Sequence, residues 1–427
     1  MVCIGKEEYM EFSVKDIGVI SKAAIDIKGI TVIAGLNNTG KSTVGRALFS
    51  VFNSLYDKEE KIREEKVRSI SDLITNIHFG LTEQRFMYNR REIAEKIIQQ
   101  SDRLKDDAKL IIDLLEKYDE ALTQIEDKSE YDRYVSRIQE VLKISDEEIF
   151  NTIMEKRIQA EFTGQINNVY SDRTGEIELK IKNEKVLVRI KSDKVVGIAG
   201  NIRLNTEIVY LDDPFVLDEG GKNPWRTMTY PNHRSYLKDK IFDFRKSGSI
   251  VDEIVTNKKL ENIIQIMSAV CDGSLERYGK FDRKIGYRQK GSDKAIALSN
   301  LSSGLKIFIA LKELLLNGTI QYNGTIILDE PEIHLHPEWQ LLFAEIIVLL
   351  QKEFNMHILM TTHSPYFLRA IQVYSAKYGI ADGCRYYLSE SRDKAVHFVD
   401  VSGKVDKIYQ TLAQPLQELE NERYQND

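Results

Sequence analysis

The sequence predicts an α/β fold, a mixed sheet with a parallel core and antiparallel strands, that is interrupted by a helical insertion. Three patterns indicate this fold. Short apolar runs with the length of buried strands alternate with segments of helical spacing near both ends of the chain. Segments that alternate apolar and polar residues indicate antiparallel hairpins. Between these parts, about 100 residues have helical periodicity and almost no Gly or Pro.

The first part of the chain combines strand patterns with one helix. Residues 9–14 and 24–27 alternate with a period of two, which is typical of half-buried strands. Residues 30–34 form a short β-branched apolar run, which predicts a buried strand. A loop with glycines at both ends follows over 35–40, and residues 42–55 carry apolar side chains at helical spacing. We therefore expect a strand, a loop and a helix in direct succession.

The segment over 57–162 predicts several charged helices. The pattern breaks near Ser101, Ser129 and Ser145, so one long coiled coil is not expected. Ser145 begins Ser-Asp-Glu-Glu, which resembles a capping box at a helix start. Two interpretations stay open for this segment: a solvated helical unit with a small core, or an arm that contacts a partner or DNA.

The middle of the chain returns to strand patterns. Hairpins are predicted over 175–196 and over 284–298, the second with its turn at 290–293. A strand at 207–211 leads into a polar loop, and a helical stretch is predicted over 236–271.

The last third alternates helices with buried strands. An apolar helix is predicted from Ser302 to Asn317, and another from Pro337 to Phe354. Short apolar runs at 325–328 and 357–360 predict two buried strands. This alternation is typical of a mainly parallel sheet.

Composition narrows the class of protein. At about 150 residues per domain, 427 residues indicate two or three domains, or one large α/β unit with an insertion. The net charge of −6 argues against a uniformly basic nucleic-acid binder but leaves room for a local basic groove. No apolar run reaches the ~18 residues of a membrane span, and the N-terminus lacks a secretory signal. Three widely spaced cysteines indicate reduced thiols, so we expect a cytoplasmic protein without membrane partners.

Residues 35–42 carry the clearest chemical motif. They read Gly-Leu-Asn-Asn-Thr-Gly-Lys-Ser, which fits G-x-x-x-x-G-K-[ST] between a predicted strand and a predicted helix. The glycines let backbone N–H groups surround a phosphate chain, and the helix N-terminus adds its dipole. Lys41 would neutralise the β- and γ-phosphates, Ser42 would bind Mg²⁺, and Asn37 is placed to reach the γ-phosphate.

Two later strand ends carry groups that hydrolysis requires. Asp329 and Glu330 follow the strand at 325–328; Asp329 would hold Mg²⁺ through water, and Glu330 would polarise the attacking water. His363 follows the next buried strand, where it can sense the γ-phosphate. Leu301-Ser302-Ser303-Gly304 begins another predicted helix, which offers either a second anion site or a plain N-cap.

The order of these motifs resembles the ABC-type ATPase heads. The closest likeness is to the SMC, RecF and overcoming-lysogenisation (OLD) branch, and to the stand-alone ATPase components of bacterial phage-defence systems. The sequence Asp-Glu-Pro-Glu-Ile-His-Leu-His-Pro over 329–337 resembles the Walker B and D-loop of that branch. The resemblance implies an ABC-ATPase head over 1–56 and 165–400, with a phosphate-loop core, an antiparallel β subdomain, a helical insertion at 57–164 and a tail at 401–427.

The resemblance also implies a head-to-head homodimer that holds two ATP molecules with Mg²⁺, with higher oligomers left open. Each ATP would lie between the phosphate loop of one subunit and Ser302–Gly304 of the other, and hydrolysis would open the dimer. Glu330, His363 and Lys41 would be catalytic, and Ser42 and Asp329 would bind the metal. The implied ATP-binding residues are Gly35, Asn37, Asn38, Thr39, Gly40, Lys41, Ser42, Thr43, Ser302, Ser303 and Gly304.

The sequence departs from the family pattern in two places. Its signature reads Leu-Ser-Ser-Gly-Leu, without the Gly-Gly-Gln of transporters, and no Q-loop glutamine can be assigned from the motif; Gln84 and Gln165 are candidates by position. A transporter subunit is also disfavoured by the helical insertion.

His334 and His336 form an H-x-H, but a zinc site is not expected because no third ligand has suitable spacing. Acidic residues at 212–219 (Asp212, Asp213, Asp218, Glu219) could suggest nuclease metal ligands, but a flexible acidic loop is the favoured interpretation.

Two functions follow as hypotheses. The first is a sensor or regulator ATPase of anti-phage defence, which acts with a separate effector such as a nuclease or toxin. OLD-type proteins carry a nuclease after the head, whereas the part after His363 is shorter than the ~100 residues of a typical domain, so we expect an operon-encoded partner instead. The alternative is a RecF-like repair ATPase that binds DNA directly. Its candidate contacts lie in one hairpin: Arg277, Lys280, Arg283, Lys284, Arg288, Lys290 and Lys294.

Overall fold

The structure, a computed structural model, describes residues 9–81, 89–124, 128–220, 230–244, 250–279, 284–392 and 395–425. Contacts divide the chain into two compact units. Unit 1 contains 1–56 and 154–427, and unit 2 contains 57–153. Within the described ranges, none of the helices is long and apolar enough to cross a membrane.

Unit 1 is built on a large mixed sheet. Its strand order is β6-β5-β4-β1-β2-β14-β13-β3-β12-β11-β7, and a separate antiparallel sheet has the order β10-β9-β8. The strands are β1 (Met10–Ile17), β2 (Ile20–Ile27), β3 (Ile30–Gly35), β4 (Gly175–Ile181), β5 (Glu184–Lys191), β6 (Lys194–Gly200), β7 (Ile208–Leu211), β8 (Ser274–Tyr278), β9 (Lys284–Arg288), β10 (Ile296–Ala297), β11 (Thr325–Asp329), β12 (His357–Thr362), β13 (Arg385–Arg392) and β14 (Ala395–Asp400).

The parallel core of this sheet runs from β13 through β3, β12 and β11 to β7. β3 and β12 are buried at every position, as expected for strands covered on both faces. β1 instead alternates buried and partly exposed residues and pairs antiparallel with β2 and β4. The predicted mixed α/β fold, with a parallel core and an antiparallel subdomain, is therefore confirmed.

Helices flank the sheet and form unit 2. They are α1 (Lys41–Leu55), α2 (Lys58–Leu81), α3 (Arg90–Gln99), α4 (Ser101–Leu104), α5 (Ala108–Tyr118), α6 (Lys128–Lys143), α7 (Asp146–Phe162), α8 (His233–Ile241), α9 (Ile250–Met267), α10 (Ser303–Leu316), α11 (Pro337–Phe354), α12 (Pro365–Lys377) and α13 (Asp406–Gln425). Serine N-caps begin several of them: Ser364, which precedes Pro365, caps α12, and Ser302 caps α10.

Unit 2 has a core of its own. Aliphatic residues of α2, α3, α5 and α6, among them Ile70, Ile97, Ile111 and Ile138, are fully buried in one cluster. The Ser145 hydroxyl accepts a hydrogen bond from the N–H of Glu148, as a capping residue should at the start of α7. The unit therefore has a hydrophobic core under a charged surface.

Several elements differ from the sequence prediction. The helical stretch expected over 236–271 is two helices, α8 and α9, of which α8 begins earlier, at His233. The prediction missed β6, which extends the first hairpin, β8, which completes the small sheet, and the β13–β14 pair. β13 and β14 are neighbours in the chain that pair antiparallel, and the sequence analysis overlooked this local pair. Only their place in the sheet, beside β3 and β2, depends on partners more than 300 residues away along the chain.

Candidate nucleotide site

The carboxyl ends of four parallel strands meet at one edge of the sheet. β3 ends at Gly35, β11 at Asp329 and β12 at Thr362, and β13 places Ser389 directly beside Gly35. In open α/β sheets this edge is where ligands bind, because the loops there can approach one point. The motifs that are far apart in the sequence are therefore brought together.

The phosphate loop needs its glycines for space. Gly40 has a φ of 74°, and a Cβ there would lie 2.7 Å from Ile20 Cγ1. Gly35 has a φ of 154°, and a Cβ there would lie 2.1 Å from the Ser389 hydroxyl. Any larger residue would displace the loop from the strand that supports it.

Ser389 supports this loop and was missed by the sequence prediction. Its hydroxyl lies 2.6 Å from Thr39 Oγ1 and 3.3 Å from the carbonyl oxygen of Ala34, and the site is buried. Thr39 Oγ1 also donates to the carbonyl oxygen of Leu36 at 2.8 Å. The contact joins residues 350 positions apart, so no local pattern could have indicated it.

The amino group of Lys41 lies at the base of the loop. The residue is only 4% exposed, and Nζ donates to the carbonyl oxygens of Gly35 at 3.1 Å and Leu36 at 2.9 Å. Nζ also lies 3.2 Å from Glu330 Oε1. A buried ammonium held in this way is a strong site for a second anion, because little water competes for it.

Glu330 is held between Lys41 and His363. Its Oε2 lies 3.4 Å from His363 Nδ1, and its backbone N–H donates to both the carbonyl and the hydroxyl oxygen of Thr361. Its φ of 49° is unusual for a non-glycine residue, and such backbone outliers concentrate at functional sites. The carboxylate is thus placed at the strand end with two charged or chargeable neighbours.

Asp329 is oriented by two hydroxyl donors. Tyr210 donates to Oδ2 at 2.8 Å, and Thr361 donates to Oδ1. The same tyrosine hydroxyl lies 3.4 Å from the carbonyl oxygen of Ser42, so Asp329 is tied to the start of α1. Burial and the Asp329 carboxylate raise the pKa of Tyr210 well above its ordinary value, which keeps the hydroxyl protonated as a donor.

Glu332 is a further acidic residue that the sequence prediction did not assign a role. It is 2% exposed, and its Oε1 accepts from the Thr362 hydroxyl and, at 3.1 Å, from the N–H of His363. Burial raises the pKa of this carboxyl group, although its hydrogen bonds act in the opposite direction. Glu332 therefore fixes the backbone that carries His363.

An open pocket of about 530 Å³, a volume typical of small-ligand sites, is lined by the phosphate loop and Glu330, whereas Gly35, Asp329 and His363 do not line it. Of the two Q-loop candidates, Gln165 lines it, whereas Gln84 lies outside the described residues. Arg46 lines it too and was not singled out from the sequence. The lining residues are Gly18, Val19, Asn37, Asn38, Thr39, Gly40, Lys41, Ser42, Thr43, Arg46, Phe162, Thr163, Gln165, Val169 and Glu330.

Ser302, Ser303 and Gly304 do not line this pocket. The Ser302 hydroxyl accepts from the N–H of Leu305 at 3.4 Å and thus caps α10. A Cβ on Gly304 would lie 2.9 Å from the carbonyl oxygen of His334, so α10 packs tightly against the segment that follows Glu330. The signature is therefore presented at a helix start, separate from the phosphate loop of its own chain.

The remaining candidate ligand groups have structural partners. His336 caps α11 through Nδ1, which accepts from the N–H of Glu338 at 3.4 Å, and His334 packs edge-on against Phe215. No cluster of three or more metal-ligating side chains occurs in the described part of the chain. Cys271 and Cys384 are buried free thiols, while Cys3 lies outside the described residues.

The prediction of a flexible acidic loop at 212–219 is wrong. Residues 214–219 form a short 3₁₀-helix, and each of the four carboxylates has a cationic partner. The partners are His233 and Arg234 for Asp212, Arg234 for Asp213, Lys306 for Asp218 and Lys238 for Glu219. These cations come from α8 and α10, so the pairing could not be read from the acidic segment alone.

The phosphate loop, together with Asp329 at the neighbouring strand end, fits a nucleoside triphosphate with Mg²⁺. The glycine positions leave a cradle that a Cβ would fill, and Lys41 supplies a buried positive charge. Ser42 and Asp329 offer hydroxyl and carboxylate oxygens, the ligand types that Mg²⁺ prefers. When bound, the metal would neutralise phosphate charge; Ser42 and Asp329 are the residues that would hold it.

Comparison with known proteins gives the class. A family model described as an AAA ATPase domain matches residues 10–368. Because this match spans most of the chain, the protein belongs to the AAA ATPase domain family. It is an ATPase-type nucleotide-binding protein whose phosphate loop, acidic strand end and histidine all fall within the matched residues.

Two curated bacterial proteins are similar to parts of this chain. The chain is 30% identical over 214 residues to the Septu protein PtuA of Bacillus thuringiensis, which covers 43% of this chain and 52% of that protein. It is 26% identical over 165 residues to the Retron Vc95 probable ATPase of Vibrio cholerae, which covers 32% of this chain and 31% of that protein. The matches thus span about half or less of these relatives' lengths. The predicted resemblance to ATPases of defence systems is confirmed.

Solved structures give a weaker likeness. The SMC head domain from Thermotoga maritima is 12% identical, with 92% of this chain and 98% of that chain covered, at a TM-score of 0.37. An SMC head bound to the C-winged helix domain of ScpA is 12% identical, with 93% and 99% covered, at a TM-score of 0.41.

Proposed function

We propose that the protein binds and hydrolyses ATP as a sandwich dimer and controls a separate effector in bacterial anti-phage defence. The observation that carries the proposal is the contact of Glu330, which lines the pocket with Lys41, with both Lys41 and His363. A carboxylate in this position can accept a proton from a water molecule, and Lys41 can stabilise negative charge on a phosphoryl group. His363 is placed to orient the carboxylate.

The dimer is supported by the separation of the two predicted halves of the site. The phosphate loop and Glu330 line one open pocket, whereas Ser302–Gly304 begins α10 elsewhere in the chain. A helix N-terminus attracts anions, so Ser302 of one subunit could complete the pocket of another. Two such contacts would be related by a two-fold axis, the commonest symmetry of homo-oligomers.

The effector is inferred from the relatives. The retron ATPase and the Septu protein both belong to defence systems. In unit 1 the site residues support nucleotide hydrolysis, the chemistry of a regulator. We therefore expect the response to come from a partner protein.

Complementation between two inactive variants tests the dimer. Glu330→Gln removes the proton acceptor, and Ser302→Ala removes the hydroxyl that would act from the other subunit. Each variant alone should lose most ATPase activity. Their mixture should recover about a quarter of the wild-type rate, because half of randomly paired dimers are mixed and each has one intact site. Failure to recover activity, with both variants binding ATP, would contradict the sandwich.

The effector is tested by affinity purification of the chain from its native operon. Glu330→Gln should hold the ATP-bound dimer and co-purify a neighbouring protein, whereas Lys41→Ala, which should not bind ATP, is the matched control. Recovery of the ATPase with DNA and no protein partner would instead favour a RecF-like repair function. Among the hairpin cations proposed for that function, Arg288 is already paired with Glu276 at 2.6 Å, while Lys280 and Arg283 lie outside the described residues.

A further inference from the structure

Unit 1 contains a buried ion cluster centred on His233. His233, the first residue of α8, is 4% exposed, and its ring is held between two carboxylates. Nδ1 lies 2.6 Å from Glu161 Oε2, and Nε2 lies 3.0 Å from Asp212 Oδ2. The backbone N–H of His233 also donates to Glu161. Arg234 donates to Asp212 at 2.9 Å.

This cluster contacts Tyr210, the residue that orients Asp329. The rings of His233 and Tyr210 are stacked, with centroids 4.3 Å apart and planes 24° from parallel. Phe49 of α1 packs edge-on against both rings. A Cβ on Gly45 would lie 2.9 Å from the Tyr210 hydroxyl, so this hydroxyl packs directly against α1 and only a glycine fits there.

Glu161 connects the cluster to the pocket residues that lie at and after the end of α7. It is the penultimate residue of α7, and the chain continues through Phe162, Thr163 and Gln165, all of which line the pocket. Burial alone would lower the pKa of His233, but the hydrogen bonds to Asp212 and Glu161 raise it to about 9. The ring therefore remains a cation at neutral pH, and both ion pairs hold.

We propose that Glu161, His233 and Tyr210 form a positioning network that holds the Asp329 carboxylate in the orientation needed to bind Mg²⁺. None of the three lines the pocket, so none of them acts as a catalytic group. The network acts through Tyr210, whose hydroxyl donates to the carboxylate oxygen, and it is kept in place by the stacked His233 ring. Donors of this kind, one contact removed from the metal, tune metal affinity in other proteins. The proposal rests on the proposed ATP and Mg²⁺ site.

The test measures the binding of a fluorescent ATP analogue to the full chain, in Mg²⁺ and in EDTA. Tyr210→Phe removes only the hydroxyl. Tyr387→Phe is the matched control, because its hydroxyl is also buried and accepts from the N–H of Asp26, away from the pocket. We expect Tyr210→Phe to reduce the Mg²⁺-dependent gain in affinity about fivefold, as for the loss of about 1 kcal/mol, and to leave affinity in EDTA unchanged.

Glu161→Gln keeps the size of the side chain and weakens the charge that holds His233. We expect a smaller loss of the same kind, about two- to threefold, that does not add to the effect of Tyr210→Phe in the double variant. Melting temperatures measured without nucleotide check that each variant is folded.

The outcomes separate the two proposals. If the wild type binds the analogue in neither buffer, the proposed function fails, and the network fails with it. If the wild type shows a Mg²⁺-dependent gain and Tyr210→Phe keeps that gain, only the network is overturned. Equal losses in Mg²⁺ and in EDTA would also overturn it, because they would show a general structural effect.

Discussion

The two units use their charged residues in different ways. In unit 1, Lys41, Glu332 and His233 are almost fully buried, and each is held by hydrogen-bond partners near the carboxyl ends of the parallel strands. In unit 2 the ion pairs of α2 and α3, such as Arg63 with Glu60 and Arg91 with Glu64, are largely exposed, above an aliphatic core. Unit 2 also buries a pair, His78 and Asp119, whose Nδ1 and Oδ2 atoms lie 2.7 Å apart. Charge is costly to bury, so buried groups such as Lys41 need close partners, whereas the exposed pairs of α2 and α3 are typical of a solvated surface.

The strongest test of this difference is Lys41→Ala. Removal of the buried ammonium should abolish detectable ATP binding and reduce hydrolysis by about 10²–10³-fold, since it also leaves Glu330 without its cation. Lys352→Ala, on the surface of α11, is the control and should leave both unchanged. Binding of ATP at wild-type affinity by Lys41→Ala would show that the pocket is not the nucleotide site.

The second test concerns the core of unit 2. Ile111 of α5 is fully buried, so Ile111→Ala should lower the free energy of unfolding by about 2–5 kcal/mol, measured by urea denaturation. Leu110→Ala on the same helix should have little effect, because Leu110 is 42% exposed. ATP affinity should be the same in both variants. A loss of ATP binding in Ile111→Ala alone would show that the units do not fold independently.

A smaller effect is expected from Ser389→Ala. Loss of the hydroxyl that meets Thr39 and the carbonyl of Ala34 should weaken ATP binding about fivefold, since one buried hydrogen bond contributes about 1 kcal/mol. Ser375→Ala removes a buried hydroxyl that contacts Cys384 instead, and serves as the control in a titration with nucleotide. If the two variants bind ATP with equal affinity, the Ser389 hydroxyl does not contribute to ATP binding.

The smallest effect should come from the surface of unit 2. Glu60 and Arg63 lie one turn apart on α2, and the hydrogen bond from Arg63 lowers the pKa of the Glu60 carboxyl. Because both side chains are exposed, Glu60→Gln should leave the melting temperature unchanged within error in 0.15 M salt. A clear drop in melting temperature would show that the exposed pair of Glu60 and Arg63 contributes to the stability of the protein.

Motifs with fixed local spacing were predictable from the sequence. The phosphate loop from Gly35 to Ser42 joins β3 to α1, Asp329 ends β11, and Glu330 follows it. The turn of the β9–β10 hairpin and the start of α11 at Pro337 also lie where the sequence indicates them. These features depend on hydrophobic period, glycine and capping chemistry, all of which act between residues close in the chain.

Contacts between distant residues were decided by the tertiary structure alone. Tyr210 meets Asp329 across 119 positions, Glu161 meets His233 across 72, and Ser389 meets Thr39 across 350. The acidic residues at 212–219 gain cationic partners only because α8 and α10 pack against them. The sequence by itself therefore determined the phosphate loop, the acidic strand end and His363, since each of them belongs to a local motif. Only the fold decided which residues hold them in place, because those partners meet through the order of strands in the sheet.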